Sequence, residues 1–551
     1  MHVRKIGVLF VLLVSFAGAS ASATTINFAA LQVKTPDPEL PGALMVGTSY
    51  TQQGFVIASI GGRFDVWKLG NSNFPGTSSA ATSLFDFSAG AETSITYGAN
   101  KPFTLNSIDF APLLSGGSGP FYILVSGVIS PGQPPITQLV TINNSPFGSQ
   151  RVTFPGFTNV IAVNFIQATS AGYFQGQETA YQFNNIIVNT RYVNGVNGND
   201  SKDCLSVQTA CKTIAHAISL AASGDSITIA PAVYRENLTI TSNLNLKLIG
   251  SNARTTIIDG AQSRVISILS TTAVITLSNL TIRNGIAPAG GGILNWGHLT
   301  LSNSAITGNY ALSESSATGG GIYNSGTLTV SNSTFSANTT TANFVYGGAI
   351  YSSGPLVMNN STVSGNSVSG RFGGGGGGIY AAGATQISNT TIAGNSGNSG
   401  GGIYTAGGAT RISNTTIVGN SGNSGGGIYE GGGTVATQNS IVSGSSPGGN
   451  CFGTMTSNGY NLSSDNTCNF NNTGDLNNTD PLLGPLQNNG GPTQTMALPS
   501  GSPAVDAGNP SGCTDGAGHL LKTDQRGQPR PDKKDSTTLG CDVGAYELQN
   551  H

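Results

Sequence analysis

From residue 293 onward the chain repeats a short apolar and polar pattern that is neither helical nor a plain alternation. A Gly-Gly-Gly-Ile tetrad, or a close variant, recurs with its isoleucine at Ile293, Ile322, Ile350, Ile379, Ile403 and Ile428, in steps of 29, 28, 29, 24 and 25 residues. About six residues past each Ile comes an alternating stretch such as Leu328-Thr329-Val330-Ser331-Asn332. A third short element follows, such as Thr334-Phe335-Ser336-Ala337-Asn338. Periods of about 20–50 residues mark stacked repeat units. Gly, Ser, Thr and Asn saturate each unit, and no 3.6-residue period appears, which excludes a helical solenoid. Three short strands per 24–29 residues fit one rung of a right-handed parallel β-helix. There each rung hydrogen-bonds its neighbours, and free edges survive only at the two ends.

The same pattern assigns directions within a rung. In Gly-Ile-Tyr, period-two alternation turns Ile inward and Tyr outward. Leu328, Val330 and Phe335 then complete one core layer, and Leu299, Leu301 and Ile306 the layer before it. Asn recurs at Asn279, Asn303, Asn332, Asn360, Asn389, Asn414 and Asn439. An amide carries donors and acceptors, so this column is expected to bond along the axis at the corner between strands.

Upstream, residues 24–190 hold short alternating runs such as Phe121-Tyr122-Ile123-Leu124-Val125 and Val160-Ile161-Ala162-Val163-Asn164-Phe165, separated by Gly, Pro and Ser clusters. That pattern predicts an antiparallel sandwich. A polar stretch near 189–203 separates it from one predicted helix, with Ile214, Ala217, Ile218 and Ala221 on one face, Thr213 as N-cap and Gly224 at its stop.

Composition narrows the class further. Charged residues are 8% of the chain, against about 25% in an average soluble domain, while Gly numbers 79 and the net charge is −2. A nucleic-acid partner is excluded, because phosphate neutralisation needs a surplus of Lys and Arg. At the N-terminus, His2, Arg4 and Lys5 precede an apolar run Ile6 to Phe16, with Ala21-Ser22-Ala23 at the cleavage positions. This is the three-part pattern of a secretory signal peptide over 1–23. The run is too short to span a bilayer, and no later stretch reads as transmembrane. The six cysteines, Cys204, Cys211, Cys451, Cys468, Cys513 and Cys541, are then expected to form disulfides in an exported protein. Sequence neighbours pair as 204–211, 451–468 and 513–541, among about 15 connectivities that six cysteines allow.

Several of these segments resemble known families. Gly347-Gly348-Ala349-Ile350 and Phe335-Ser336-Ala337-Asn338 resemble the GGA(I/L) and FxxN repeats of the polymorphic outer-membrane proteins. Asn489-Gly490-Gly491-Pro492-Thr493, Gly501 to Gly508, Asp524-Gln525-Arg526-Gly527 and Cys541 to Glu547 resemble the C-terminal domain of secreted β-helix proteins called choice-of-anchor Q. Ser107 to Ala111 and Tyr181 to Val188 resemble jelly-roll-like domains of exported bacterial surface proteins. These resemblances imply a pectin-lyase-like β-helix on or beyond the cell surface.

The expected fold class is therefore all-β: a jelly-roll-like N-terminal β-sandwich over 24–190, then a right-handed parallel β-helix over 191–485 with an N-terminal capping helix, then a C-terminal cap over 486–551. The expected function is adhesion or carbohydrate and ligand binding, with a polysaccharide or cell-surface ligand as partner. The alternative is a polysaccharide lyase or glycoside hydrolase. Calcium-dependent lyases and hydrolases need clustered carboxylates, yet between 281 and 450 the charged residues are only Arg283, Glu314, Arg371, Arg411 and Glu430. No catalytic residue, metal ligand or cofactor is assigned. Asp259 reads as a turn residue, and the Gly373–Gly378 run as a tight turn or close backbone approach. The 12 charged residues of 501–551 read either as a metal or catalytic cluster or as internal salt bridges of a cap. The candidate binding residues are Tyr323, Tyr351, Tyr380, Tyr404 and Tyr429. They form an outward aromatic row that either recognises a ligand or shields the strands beneath.

Overall fold

The computed structural model describes the strands and some flanking residues between 24 and 188, and all residues of 190–531 and 540–549. The expected signal peptide lies outside these. The chain is almost entirely β-sheet and divides into two compact units. The first comprises residues 1–193 with 198–211 and 220–228; the second comprises 194–197, 212–219 and 229–551.

Unit one carries two antiparallel sheets. Six strands form one, ordered Ile136–Ile142, Phe121–Val128, Ala162–Ala168, Glu92–Tyr97, Phe55–Ile60, Ser49–Gln52; the other has eight and is centred on Leu105–Pro112 and Tyr181–Val188. Ile95, Ile108, Phe110, Ile123, Val125, Val163 and Phe165 are fully buried. Phe110 and Phe165, from different sheets, meet edge to face at 5.8 Å. Asn106 accepts the Thr190 amide at 2.8 Å and donates back to the Thr190 carbonyl. Arg191 and Asp225 make a buried ion pair at 2.9 Å.

Unit two is a parallel β-solenoid, and its register follows the glycine-isoleucine period. Ile293, Ile322, Ile350, Ile379, Ile403 and Ile428 lie directly above one another, and Cys451 takes the next place. A first wall contributes two stretches per rung, such as Ile322–Asn324 and Thr327–Ser331. A second wall has ten strands, from Ala232–Arg235 to Leu462–Ser463. Leu328, Val330 and Phe335 are buried in one layer and Leu299, Leu301 and Ile306 in the next, as alternation requires. The three long steps carry an extra short strand, Ser316–Thr318, Phe344–Tyr346 or Gly374–Gly375, whereas the later rungs close through brief Gly/Ser turns. That missing strand is why the period contracts. The predicted helix is present as Ile214–Leu220, with the Thr213 hydroxyl accepting the His216 amide and Glu236 accepting the amides of Ile214 and Ala215.

The asparagine ladder exists, but in a different column from the expected one. Asn279, Asn303, Asn332, Asn360, Asn389, Asn414 and Asn439 all sit at positive φ, between 47° and 56°. They turn the corner in the left-handed region, which Asn tolerates better than other residues with a Cβ. The axial ladder is instead Asn309, Asn338, Asn366, Asn395 and Asn420, the last residue of each FxxN-type repeat, all buried. Asn338 Oδ1 accepts both the backbone and side-chain N–H of Asn309 at 3.1 and 3.0 Å. Its own Nδ2 donates to Ile306 O at 2.8 Å and to Asn366 Oδ1 at 2.9 Å. Every hydrogen-bonding site of that amide is used, so it can be buried without penalty.

After Ser463 the chain makes one more turn over the last rung, with Leu476 in parallel register with Leu462 and Cys468 bonded to Cys451. It then folds back along the outer face of the second wall, whose outward column reads Thr362, Thr391, Thr416, Ile441 and Leu462. Leu498, Ala504 and Val543 pack on Ile441 and Leu462. Further up, Gln525 bridges the Thr362 and Thr391 hydroxyls at 3.0 and 2.7 Å, and Ala545 N donates to Thr416 Oγ1 at 3.0 Å. The segment expected as an end cap is therefore a lateral strap over five rungs. All three neighbour pairs of cysteines are bonded: Cys204–Cys211, Cys451–Cys468 and Cys513–Cys541.

Two outcomes follow. Asn366→Ala takes the acceptor from two donors of Asn338 and the side-chain donor from Asn395 Oδ1 and Phe335 O, and should lower stability by on the order of 3 kcal/mol. Asn332→Gly, at the corner, should be neutral or stabilising. Thermal melting of the two variants would reverse this ranking if the corner column carried the ladder. Opening Cys513–Cys541 by paired Ser substitution should leave the rungs folded and expose the strap to protease, read as early cleavage C-terminal to residue 463.

Candidate functional site

Ile322–Asn324, Ile350–Ser352, Ile379–Ala381 and the starts of Ile403–Ser413 and Ile428–Gln438 bring the five tyrosines into one column. Each Ile is fully buried and each Tyr half-buried. Successive rings, Tyr323 to Tyr351, Tyr380, Tyr404 and Tyr429, stack with centroids 5.2, 5.2, 4.9 and 4.8 Å apart and planes within 8–14° of parallel. Phe452 extends the stack at 4.8 Å and is 49% exposed. It occupies the Tyr place of the next rung, in Asn450-Cys451-Phe452, where Cys stands for Ile. That substitution hides it from a search for Gly-Ile-Tyr.

The geometry divides each ring between two roles. Interior ring faces cover one another, so what the column offers solvent is ring edges and phenolic hydroxyls. Among the described residues, none of these hydroxyls has a protein partner. Burial, reinforced by the neighbouring phenols, raises the pKa of Tyr351, Tyr380 and Tyr404 above the ordinary tyrosine value, so these phenols stay neutral donors. Gly375 lies so close that a Cβ there would meet the Tyr404 ring at 2.2 Å. This is the close backbone approach expected of the glycine run.

An aromatic branch leaves the column at Tyr380. Tyr346 stands edge-on to Tyr380 at 4.9 Å. On the same strand, Phe344 is 45% exposed and packs at 5.5 Å on Phe372, which is 61% exposed. The Arg371 guanidinium lies 5.4 Å over the Phe372 ring. The branch arises from the extra strand of the long rungs, which breaks the repeat pattern and so carried no signal in the sequence. On the second wall, Ser336, Ser364, Ala393 and Val418 floor an open cleft of about 590 Å³, walled by Leu486 and Met496 of the strap.

Asp259 accepts the Ala261 amide at 3.1 Å as a turn residue, and it holds Arg283 at 2.9 Å and Asn284 at 2.8 Å. Five of the charged C-terminal residues, Asp524, Arg526, Arg530, Asp542 and Glu547, come together and are engaged within the strap. Arg530 pairs with Glu547 at 2.8 Å with both nearly inaccessible. Arg526 pairs with Asp524 at 2.7 Å, and its guanidinium lies 3.6 Å over Tyr546. Asp542 accepts the amides of Asp506 and Leu548. These groups hold the strap's own loops, the internal salt-bridge alternative, and offer no open face to a substrate.

Among the described residues no helix is long and apolar enough to cross a membrane. Fold and site together define a parallel β-solenoid with a stacked aromatic column on one wall. No protein-family model matches the chain, and no curated protein does. Among solved structures the chain is similar to the Agl-KA catalytic domain at 13% identity, over 82% of this chain and 96% of that one, with a TM-score of 0.21. It is also similar to a DUF4465 family protein from Bacteroides caccae at 10% identity, over 32% of this chain and 91% of that one, with a TM-score of 0.19. Likeness at that level carries no functional argument.

The strap's buried acids make a pH prediction. Burial pushes Glu547 up to about 7, against the pull of Arg530 and with help from Asp542, and burial raises Asp542 as well. A carboxyl whose pKa is raised by folding takes up a proton on folding. Its contribution is full below the unfolded value near 4.5 and is lost as the pH climbs through about 7. The melting temperature should therefore fall between pH 5 and pH 8, and Glu547→Gln should flatten that slope. A melting temperature that rises over this range in the parent protein would refute the assignment.

Proposed function

We propose that this is an exported surface protein that binds a carbohydrate or cell-surface ligand through its aromatic column and branch, in an adhesive role. The carrying observation is one continuous aromatic surface, from Tyr323 through Tyr380 to Phe452 with Phe344 and Phe372 exposed beside it. Exposed apolar patches rimmed by polar residues mark interaction sites, and this wall is nearly free of charge. Aromatic contacts are worth about 0.5–1.5 kcal/mol each, so a stack of them suits a long, repetitive ligand better than a small one. Three disulfides are compatible with an oxidising exterior. The resemblance to polymorphic outer-membrane protein repeats and to the choice-of-anchor Q domain, a right-handed helix and a sandwich at the N-terminal end all fit a secreted or outer-membrane-associated protein.

Exposed ring edges act first in this reading, since interior faces are already taken. Phe344→Ala with Phe372→Ala should weaken retention on a responsive polysaccharide or cell surface about tenfold without changing the melting temperature. Tyr351→Leu, Tyr380→Leu and Tyr404→Leu together keep apolar bulk and should also weaken it. Unchanged retention in both sets, with a melting loss only in the second, would reduce the column to packing. Incubation with pectate or alginate plus calcium should release no unsaturated, ultraviolet-absorbing product; release above an inactive control would favour the lyase alternative.

A further inference from the structure

The six-stranded sheet of unit one ends on Ile136–Ile142, which pairs with Phe121–Val128 on one side and with no strand on the other. That pairing runs from Gly127 opposite Ile136 to Phe121 opposite Ile142 without a bulge. Ile136, Gln138, Val140 and Ile142 turn toward the core, and Thr137, Leu139 and Thr141 turn to solvent. The backbone alternates in step. Val128 O accepts the Ile161 amide, so Val128 and every second residue before it face Ala162–Ala168. Gly127, Val125, Ile123 and Phe121 then bond the edge strand through Ile136, Gln138, Val140 and Ile142. The N–H and C=O groups of Thr137, Leu139 and Thr141 are left pointing away from the sheet. Gln150 Nε2 reaches Thr141 O from that side at 3.2 Å, and among the described residues this exposed bond is the only one made to the edge.

An open row of amides and carbonyls templates another strand, and edges are usually guarded by charge, proline or a bulge. This edge has none of these within its seven residues, and no Asp, Glu, Lys or Arg occurs between Asp109 and Arg151. Pro134 and Pro135 stand just before it, where they end a pairing rather than prevent one. The strand is also its own complement. Ile136-Thr137-Gln138-Leu139-Val140-Thr141-Ile142 reads nearly the same in either direction about Leu139. Laid antiparallel to a copy of itself about a two-fold axis at Leu139, it sets Leu139 against Leu139, Thr137 against Thr141 and Ile136 against Ile142. Gln138 against Val140 is the one unlike pair. Such a pairing uses the outward groups of Thr137, Leu139 and Thr141 and no others. It also covers Leu139, which is 37% exposed on the solvent face. The Thr137 amide of the copy takes the place of Gln150 Nε2 on Thr141 O, and the displaced amide stays in water.

We propose that the chain forms a two-fold dimer through this edge, continuing the six-stranded sheet from one copy into the other with Leu139 on the axis. A second copy is the occupant, rather than some other extended peptide, because only self-pairing makes use of a palindrome. A two-fold interface repeats every contact, and none of the like residues brought together is charged. One strand pair is small beside the roughly 1,200–2,000 Å² of standard interfaces, which puts the dimer in the micromolar range rather than tighter. The inference does not rest on the carbohydrate reading, although a dimer presents the aromatic column twice.

The test follows the mass of the full chain by sedimentation velocity and light scattering from about 1 to 100 μM. The parent should pass from monomer to dimer over this range. Leu139→Lys sets two ammonium groups face to face on the axis and should weaken association at least tenfold, with the melting temperature of the monomer unchanged because this side chain faces water. Register is tested by a pair of double variants. Thr137→Lys with Thr141→Lys should also stay monomeric, whereas Thr137→Lys with Thr141→Glu should restore the dimer, since each ammonium then meets a carboxylate of the other copy. Leu139→Cys should join two copies on mild oxidation, because directly opposed Cα atoms lie about 5.5 Å apart in such a pair, within disulfide reach, and the parent has no free cysteine. A parent that stays monomeric, a dimer indifferent to Leu139→Lys, a lysine–glutamate variant no better than the double lysine, or failure of the cysteine variant to cross-link would each overturn the proposal.

Discussion

Stacking in register at the rung spacing is the constraint on which the rest of this molecule depends. Each side chain in a rung has its own counterpart as nearest neighbour above and below, so a position is stable only if its residue suits itself. Carboxylates and ammonium groups fail that condition through like-charge repulsion, and the wall accordingly carries almost none. Amides, hydroxyls and neutral phenols satisfy it. Asn338 shows why the amide does so best: its oxygen accepts from the rung before and its nitrogen donates to the rung after, and both partners are asparagines in the same state.

The same constraint made much of the solenoid legible. The glycine-isoleucine period gives the register residue by residue, and Leu328, Val330 and Phe335 are the core layer that alternation assigns. It also explains where reading the sequence went astray. Two asparagine columns have the same period, and composition cannot tell an amide that bonds along the axis from one that turns a corner at positive φ; only backbone conformation separates Asn332 from Asn338. Phe452 escaped because a disulfide cysteine displaced the isoleucine that marks each rung. The strap was invisible in another way. Its partners, such as Thr362 and Thr391 for Gln525, lie far back along the chain, and a threonine that receives a strap looks the same in sequence as one that faces water.

Where periodicity ends, charge returns. The strap crosses rungs instead of stacking on them, so its residues meet unlike neighbours, and ion pairs such as Arg530 with Glu547 become workable. Buried pairs of this kind seldom add much net stability over well-packed apolar groups, yet they are costly to break on one side. Their effect here is to specify one seating. Arg530 also bonds Asn389 Oδ1 and Gly544 O, so it locates the strap against one particular corner asparagine among several that are nearly identical. A repetitive flank offers many equivalent registers, and an irregular charged network is a physical means of choosing among them.

That choice bears on where recognition can arise. A perfect repeat presents the same surface at every rung and can distinguish ligands only by length and spacing. The aromatic column has that character, and its stacked faces leave edges that suit extended, repetitive partners. Discrimination among chemically similar units needs an aperiodic contact, and in the solenoid such contacts occur where the extra strand of a long rung adds Phe344 and Phe372 and where the strap lays Thr514 against Asn414 and Gln438. Both are breaks in the pattern that built the fold. A regular scaffold with a few deliberate interruptions thus separates the two demands: the rungs supply rigidity and reach, and the interruptions supply the unlike neighbours that selective binding requires.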